Sequence, residues 1–112
     1  MQGLSFQRQL EGLILAVLAE GPLHGYAIAC ELRDRSEGML DVAEGTLYPV
    51  LHKLEKEGFI HSRWETVSGR RRRVYAPSSR AGSAVRERFE SWRRLSRAID
   101  AVFVSAPGST GD

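Results

Sequence analysis

A chain of 112 residues with 42% apolar and 27% charged residues has the size and composition of one soluble domain built on a single small core. The one cysteine, Cys30, excludes an internal disulfide, and the longest apolar run, Leu13 to Ala19, is far short of the roughly 20 residues that a membrane-spanning helix needs. No basic segment, apolar run and small-residue cleavage site follow one another near the N-terminus, so a cytoplasmic protein with no membrane partner is expected. The net charge of +2 hides an asymmetry: residues 1–60 carry five bases against nine acids, whereas residues 61–97 carry eleven arginines against three acids. A basic half on a nearly neutral chain is the footprint of a polyanion binder, although an anionic membrane or an acidic protein would also suit it.

In chain order, Leu10, Leu13, Ile14, Val17 and Leu18 recur at the spacing of an amphipathic helix over about 6–20, which Gly21-Pro22 ends. A second helix is expected over 25–36, with Tyr26, Ala29, Cys30 and Leu32 as a smaller apolar face. Leu47, Val50, Leu51 and Leu54 repeat the helical pattern in 45–58, with Pro49 expected in the first turn and Gly58 as the stop. The period then changes. Phe59 to Thr66 reads as a strand, Val67-Ser68-Gly69-Arg70 as a turn, and Arg71 to Ala76 as a returning strand. From Ser79 to about Val104 the helical pattern returns, and Val85, Trp92, Leu95, Ile99 and Val102 fall on one heptad seam flanked by Phe89 and Phe103. A helix that long outruns so small a core, so its seam is expected to meet a second copy of the chain. The tail 105–112, rich in Gly, Ser, Pro and Thr, is expected to fray.

Three helices and a hairpin within about 70 residues are the order of a winged helix-turn-helix, a mainly α fold in which the third helix enters the major groove and the hairpin follows the backbone. With its leucines inward, the third helix would present Thr46, Tyr48, Pro49, His52, Lys53 and Lys56, whose hydroxyl, imidazole and ammonium groups can donate to phosphates or base edges. Arg70, Arg71, Arg72 and Arg73 fall at the tip and second strand of the hairpin. As bare charge they suit a solvated tip, a localisation signal or a phosphate clamp. Because strand side chains alternate, Arg70 and Arg72 should face one way and Arg71 and Arg73 the other, so one pair at a time can meet a phosphate row.

The blocks Leu13-Ile14-Leu15-Ala16-Val17-Leu18, Gly21-Pro22-Leu23-His24-Gly25-Tyr26, Glu44-Gly45-Thr46-Leu47-Tyr48-Pro49-Val50-Leu51, Leu54-Glu55-Lys56-Glu57-Gly58 and the Gly69 to Tyr75 wing resemble the PadR family of bacterial transcriptional regulators. The match spans about residues 10–82 and continues loosely through the last helix. The resemblance implies a winged-helix DNA-binding unit over 1–78 and a homodimer built on a helix over 79–104, as in the short subfamily. It also implies binding to double-stranded DNA bearing an inverted repeat, repression of a nearby promoter and, in many members, release by a small aromatic effector. It assigns Thr46, Tyr48 and Pro49 to the recognition helix, Arg70 to Arg73 to the wing, and His24-Gly25-Tyr26 to a mainly architectural motif. In members whose protomers leave a gap, the residue matching Trp92 stacks flat ligands, and Phe89 and Ile99 would lie near it. Two departures stand out: Ala43 replaces the usual Ser before the recognition-helix glycine, and Ala76-Pro77-Ser78-Ser79 replaces the usual lead into the last helix, leaving Ser78 or Ser79 as its cap.

Other chemistries find little support in the residues. Cys30 has no second cysteine to resolve an oxidised thiol and is expected to be a small core residue. His24, His52 and His61 share no metal-ligand spacing, and no phosphate-binding glycine loop, nucleophile elbow or paired-histidine motif occurs, so neither a metal, a cofactor nor an enzyme is expected. A winged-helix interaction adaptor that never touches DNA is the alternative reading.

Overall fold

Apolar spacing and breakers produce four helices and three strands across residues 6–108, the part of the chain that the computed structural model describes. They are α1 (Phe6–Leu18), β1 (Leu23–His24), α2 (Gly25–Arg35), α3 (Glu44–Lys56), β2 (Ile60–Val67), β3 (Arg70–Pro77) and α4 (Ala81–Ser105). This is a winged helix-turn-helix followed by a long helix. Residues 109–112 of the expected tail lie outside the described residues.

The core is the meeting of the helical stripes. Leu10, Ile14, Leu15 and Leu18 of α1, Ile28 of α2, and Leu47, Leu51 and Leu54 of α3 are fully buried and close over Ile60 and Tyr75 of the sheet. Each such side chain contributes about 1.5–3 kcal/mol of burial. Leu13 is only partly buried, because it faces α4 at the edge of this cluster.

The sheet is antiparallel with β3 in the middle, in the order β1-β3-β2. β2 and β3 pair from Ile60 opposite Pro77 to Val67 opposite Arg70, leaving the two-residue loop Ser68-Gly69. Both loop residues have positive φ, 53° and 77°, the backbone hand that matches the twist of a tight hairpin and that glycine accepts without cost. β1 was not anticipated; two residues have no period to read, and Leu23 and His24 become a strand only because the far edge of β3 is open to them.

Two local expectations are corrected. Pro49 lies in the second turn of α3, because the helix starts at Glu44. Its missing N–H falls on the exposed outer side, where water can serve the freed carbonyl of Gly45. The last helix begins at Ala81, with Arg80 at its cap position and no side-chain cap bond. Ser78, two residues earlier, does serve the entry: its Oγ accepts from the Arg80 N–H (3.2 Å) while donating to the Gly58 carbonyl (2.7 Å), and its own N–H donates to the Phe59 carbonyl (2.9 Å), which ties the chain to the end of α3. The Arg80 guanidinium donates to the Glu57 carbonyl (2.8 Å) and so caps the C-terminal end of α3.

Only the first turns of α4 belong to the core. Ala81, Ala84 and Arg88 are buried, whereas Phe89, Trp92, Ile99, Val102 and Phe103 are exposed in the single chain. The helix runs on past the globular part, which gives the molecule its 59 Å long axis against 27 and 22 Å.

Candidate nucleic-acid interface

α3 buries Leu47, Val50, Leu51 and Leu54, which leaves Thr46, Tyr48, Pro49, His52 and Lys56 on its exposed side. Ala43 provides no side-chain cap bond, as the missing Ser implied, and Glu44 in the first turn supplies the negative charge that the helix N-terminus favours. Lys53 departs from the expected outer face. Its ammonium donates to Glu11 Oε2 (2.9 Å) and Glu57 Oε1 (3.2 Å), so this half-exposed side chain is held between one buried and one exposed carboxylate of its own chain.

The Glu11 carboxylate, with Glu11 only 2% exposed, is the node of a charge cluster that joins three helices. Oε2 takes Lys53 of α3, and Oε1 accepts from Arg88 Nη2 (2.7 Å) and Nε (3.2 Å) of α4. Burial pushes the Glu11 carboxyl up, but hydrogen bonds and charge from Lys53 and Arg88 outweigh it and hold the group below the usual carboxylate range. The Glu11 hydrogen bond in turn raises Lys53 against the opposing effect of burial.

Tyr48 explains why two sequence blocks occur together. A Cβ on Gly25 would come within 3.1–3.3 Å of the Tyr48 phenol, so the glycine lets the recognition helix lie close against the start of α2. His24 precedes it as the α2 cap, its Nδ1 accepting from the Ala27 N–H (3.3 Å) while its ring lies parallel to Tyr26. Burial, then the nearby Arg72, lowers the His24 pKa and so favours the neutral imidazole that such a cap requires.

The wing separates its arginines as alternation requires. Arg71 and Arg73 lie over the Trp64 ring, their guanidinium carbons 4.7 and 5.3 Å from its centroid. Arg72 and Arg70 stand opposite Glu65 and Val67 in the pairing register. Arg73 Nε also donates to Ser62 Oγ (2.8 Å), which donates to Glu55 Oε2 (2.6 Å), a chain that ties the wing to the end of α3. Tyr26, Tyr48, Trp64 and the four wing arginines line one open groove of about 680 Å³ between the helix-turn-helix and the wing.

A second groove, about 500 Å³ and lined almost entirely by apolar atoms, lies between α1 and α4. Phe6, Leu13, Val85, Phe89 and Trp92 surround it, with Arg88 at its wall and Trp92 47% exposed. Ile99, grouped with Trp92 and Phe89 in the sequence, does not line this groove; it lies seven residues, about 10 Å, further along α4 than Trp92. Cys30 is half-buried, and no group of three metal-ligating side chains occurs among the described residues. No described helix is long and apolar enough to cross a membrane.

Sequence reasoning missed Glu11 with Arg88, and Trp64. The available signals were weak: a charged residue within the α1 stripe, and an aromatic directly across the hairpin from the arginine run.

The model of the transcriptional regulator PadR-like family matches residues 14–88. Transcriptional regulator Rv3488 of Mycobacterium tuberculosis is 37% identical over 95 residues, covering 84% of this chain and 86% of the relative. A transcriptional regulator from Clostridium thermocellum superposes with a TM-score of 0.74 at 27% identity, over 82% of this chain and 87% of that one. PadR of Bacillus subtilis, solved in complex with operator DNA, superposes with a TM-score of 0.64 at 25% identity, over 70% of this chain and 44% of that one.

Proposed function

The chain belongs to the PadR-like family of transcriptional regulators, and on that premise we propose that it is a dimeric DNA-binding repressor. One observation carries the reading: Tyr48 of α3 and all four wing arginines line a single open, basic groove. Residues 1–78 form the DNA-binding unit, with Thr46, Tyr48, Pro49, His52 and Lys56 at the major groove and the wing of Arg70 to Arg73 along the backbone, one alternating pair at a time on phosphates. Lys53 is left out because Glu11 and Glu57 already hold its ammonium. The similar B. subtilis protein bound to operator DNA supports the same partner here.

α4, at Ala81–Ser105 in place of the expected 79–104, is the dimerisation helix, with Val85, Phe89, Trp92, Leu95, Ile99 and Val102 along its seam. The exposed apolar side chains of α4 support this, since a lone chain would leave them in water. Two copies related by a twofold axis fit an inverted repeat with half-sites about one helical turn, roughly 34 Å, apart. The groove beside Trp92 and Phe89 suits a small flat aromatic effector. An effector that prefers a dimer of altered spacing weakens operator binding by the factor with which DNA weakens effector binding.

The protein should retard its own upstream region in a gel shift, and a duplex with the inverted repeat scrambled should compete poorly. Replacing Leu95 and Ile99 with Asp should yield monomers in sedimentation and abolish the retarded dimer complex. A dimer that survives the double substitution moves the interface off α4.

A further inference from the structure

Trp64 is a large aromatic that the core does not require: it lies on β2 with 53% of its surface exposed, directly opposite Arg73. Two guanidinium groups lie over its ring, Arg71 at 4.7 Å and Arg73 at 5.3 Å from the centroid. The two arginines differ in what else holds them. Arg73 donates through Nε to Ser62 (2.8 Å) and sits 3.6 Å from the Glu55 carboxylate, so its charge is partly answered within the protein. Arg71 is exposed and, among the described residues, forms no ion pair or side-chain hydrogen bond; the indole face is its support.

We infer that Trp64 is a positioning residue of the wing, a platform that presents Arg71 as the phosphate ligand of this face while Arg73 serves as an internal strut. Stacking occupies the flat face of a guanidinium and leaves its N–H fork free at the edge, the part that grips a phosphate bidentately. An arginine already laid on a ring has surrendered part of its rotamer freedom before binding and so loses less when DNA arrives. Sequence alternation treats Arg71 and Arg73 as an equivalent pair; the Ser62 and Glu55 contacts break that equivalence. The inference rests on the DNA-binding reading above.

The test needs no operator, because phosphate contacts are common to all sequences. Anisotropy of a labelled mixed-sequence duplex, titrated at several salt concentrations, compares wild type with W64A, W64F, R71A, R73A and W64A/R71A. Ordering an arginine that no ring holds in advance costs roughly threefold in affinity per wing, so W64A should weaken a two-wing complex by about tenfold, and W64F, which keeps a ring face, should recover most of it. R71A should weaken binding more than R73A and lower the salt slope by about 1.8 for two wings. W64A should add almost nothing on top of R71A, since the indole acts through that arginine.

The inference is overturned if W64A binds as wild type, if its loss adds fully to that of R71A, or if R73A costs as much as R71A. Thermal melting guards the comparison: should W64A melt early, W64F and the R71A against R73A contrast decide it. Wild type that fails to bind any duplex overturns the DNA-binding reading itself, whereas wild type that binds with these variants unchanged overturns only the role of Trp64.

Discussion

Lys53 and Arg88 carry the same charge as Arg71 and Arg72, yet the two groups stand in opposite situations. The first pair converges on Glu11, buried among three helices, each cation on its own carboxylate oxygen. The second pair stands on an exposed hairpin beside an open groove. Where cations meet a buried partner they position helices; where they meet water they are available to a polyanion. A count of positive charge therefore says little until its surroundings are known.

Removing the centre of the buried cluster should have the largest effect. Glu11→Ala takes from Arg88 its buried carboxylate and leaves it only the exposed Glu87 (3.3 Å), while Lys53 keeps Glu57, so the loss in denaturant unfolding should approach the roughly 3–5 kcal/mol of a broken buried pair. Adding Arg88→Met should restore much of it, because removing both members of a buried pair is far cheaper than removing one. A Glu11→Ala protein as stable as wild type would erase the distinction between the two regions.

Acid should reach the two regions in order. The folded pKa of His24 is depressed, so its cap contributes stability above the ordinary imidazole value of about 6.5 and loses it as pH falls through the lower folded value. Glu11 is also depressed, so its contribution holds above the ordinary carboxylate value of about 4.3 and fades at still lower pH. His24→Asn keeps an acceptor that does not titrate and should flatten the first step in a pH series of melting curves, leaving the second. A first step unchanged in His24→Asn assigns it to another group.

The smallest stability effect should be on the wing. Replacing Arg70 and Arg72 with Ala should change unfolding free energy by less than about 0.5 kcal/mol, because both are exposed. The same change should flatten the salt dependence of DNA binding by up to about 3.6 for two wings if both contact phosphate. An unaltered slope would leave the clamp to the Trp64 face alone.

Much of the fold was legible because it rests on local periods. The stripes of α1 and α3, the Ser68-Gly69 turn and the change from helical to strand spacing at Phe59 are properties of neighbouring residues. Element ends were less so: α4 starts at Ala81 because Ser78 is drawn to Gly58 and Phe59, partners about twenty positions away. β1 was invisible for the same reason, its identity coming wholly from β3. In the candidate site, Tyr48 and the arginine run could be picked out as polar features beside apolar periods. The link between Tyr48 and Gly25, and the diversion of Lys53, depend on packing between helices.

By itself the sequence determined the helical stripes, the hairpin with its alternating arginines, and the blocks that mark the family, since each depends on residues a few positions apart. Tertiary structure alone decided which cations are internal and which are offered outward. Glu11 meets Arg88 across 77 positions and Lys53 across 42, distances over which no local pattern speaks. Even between adjacent members of one strand face it chose, giving Arg73 to Ser62 and Glu55 and leaving Arg71 on the ring of Trp64.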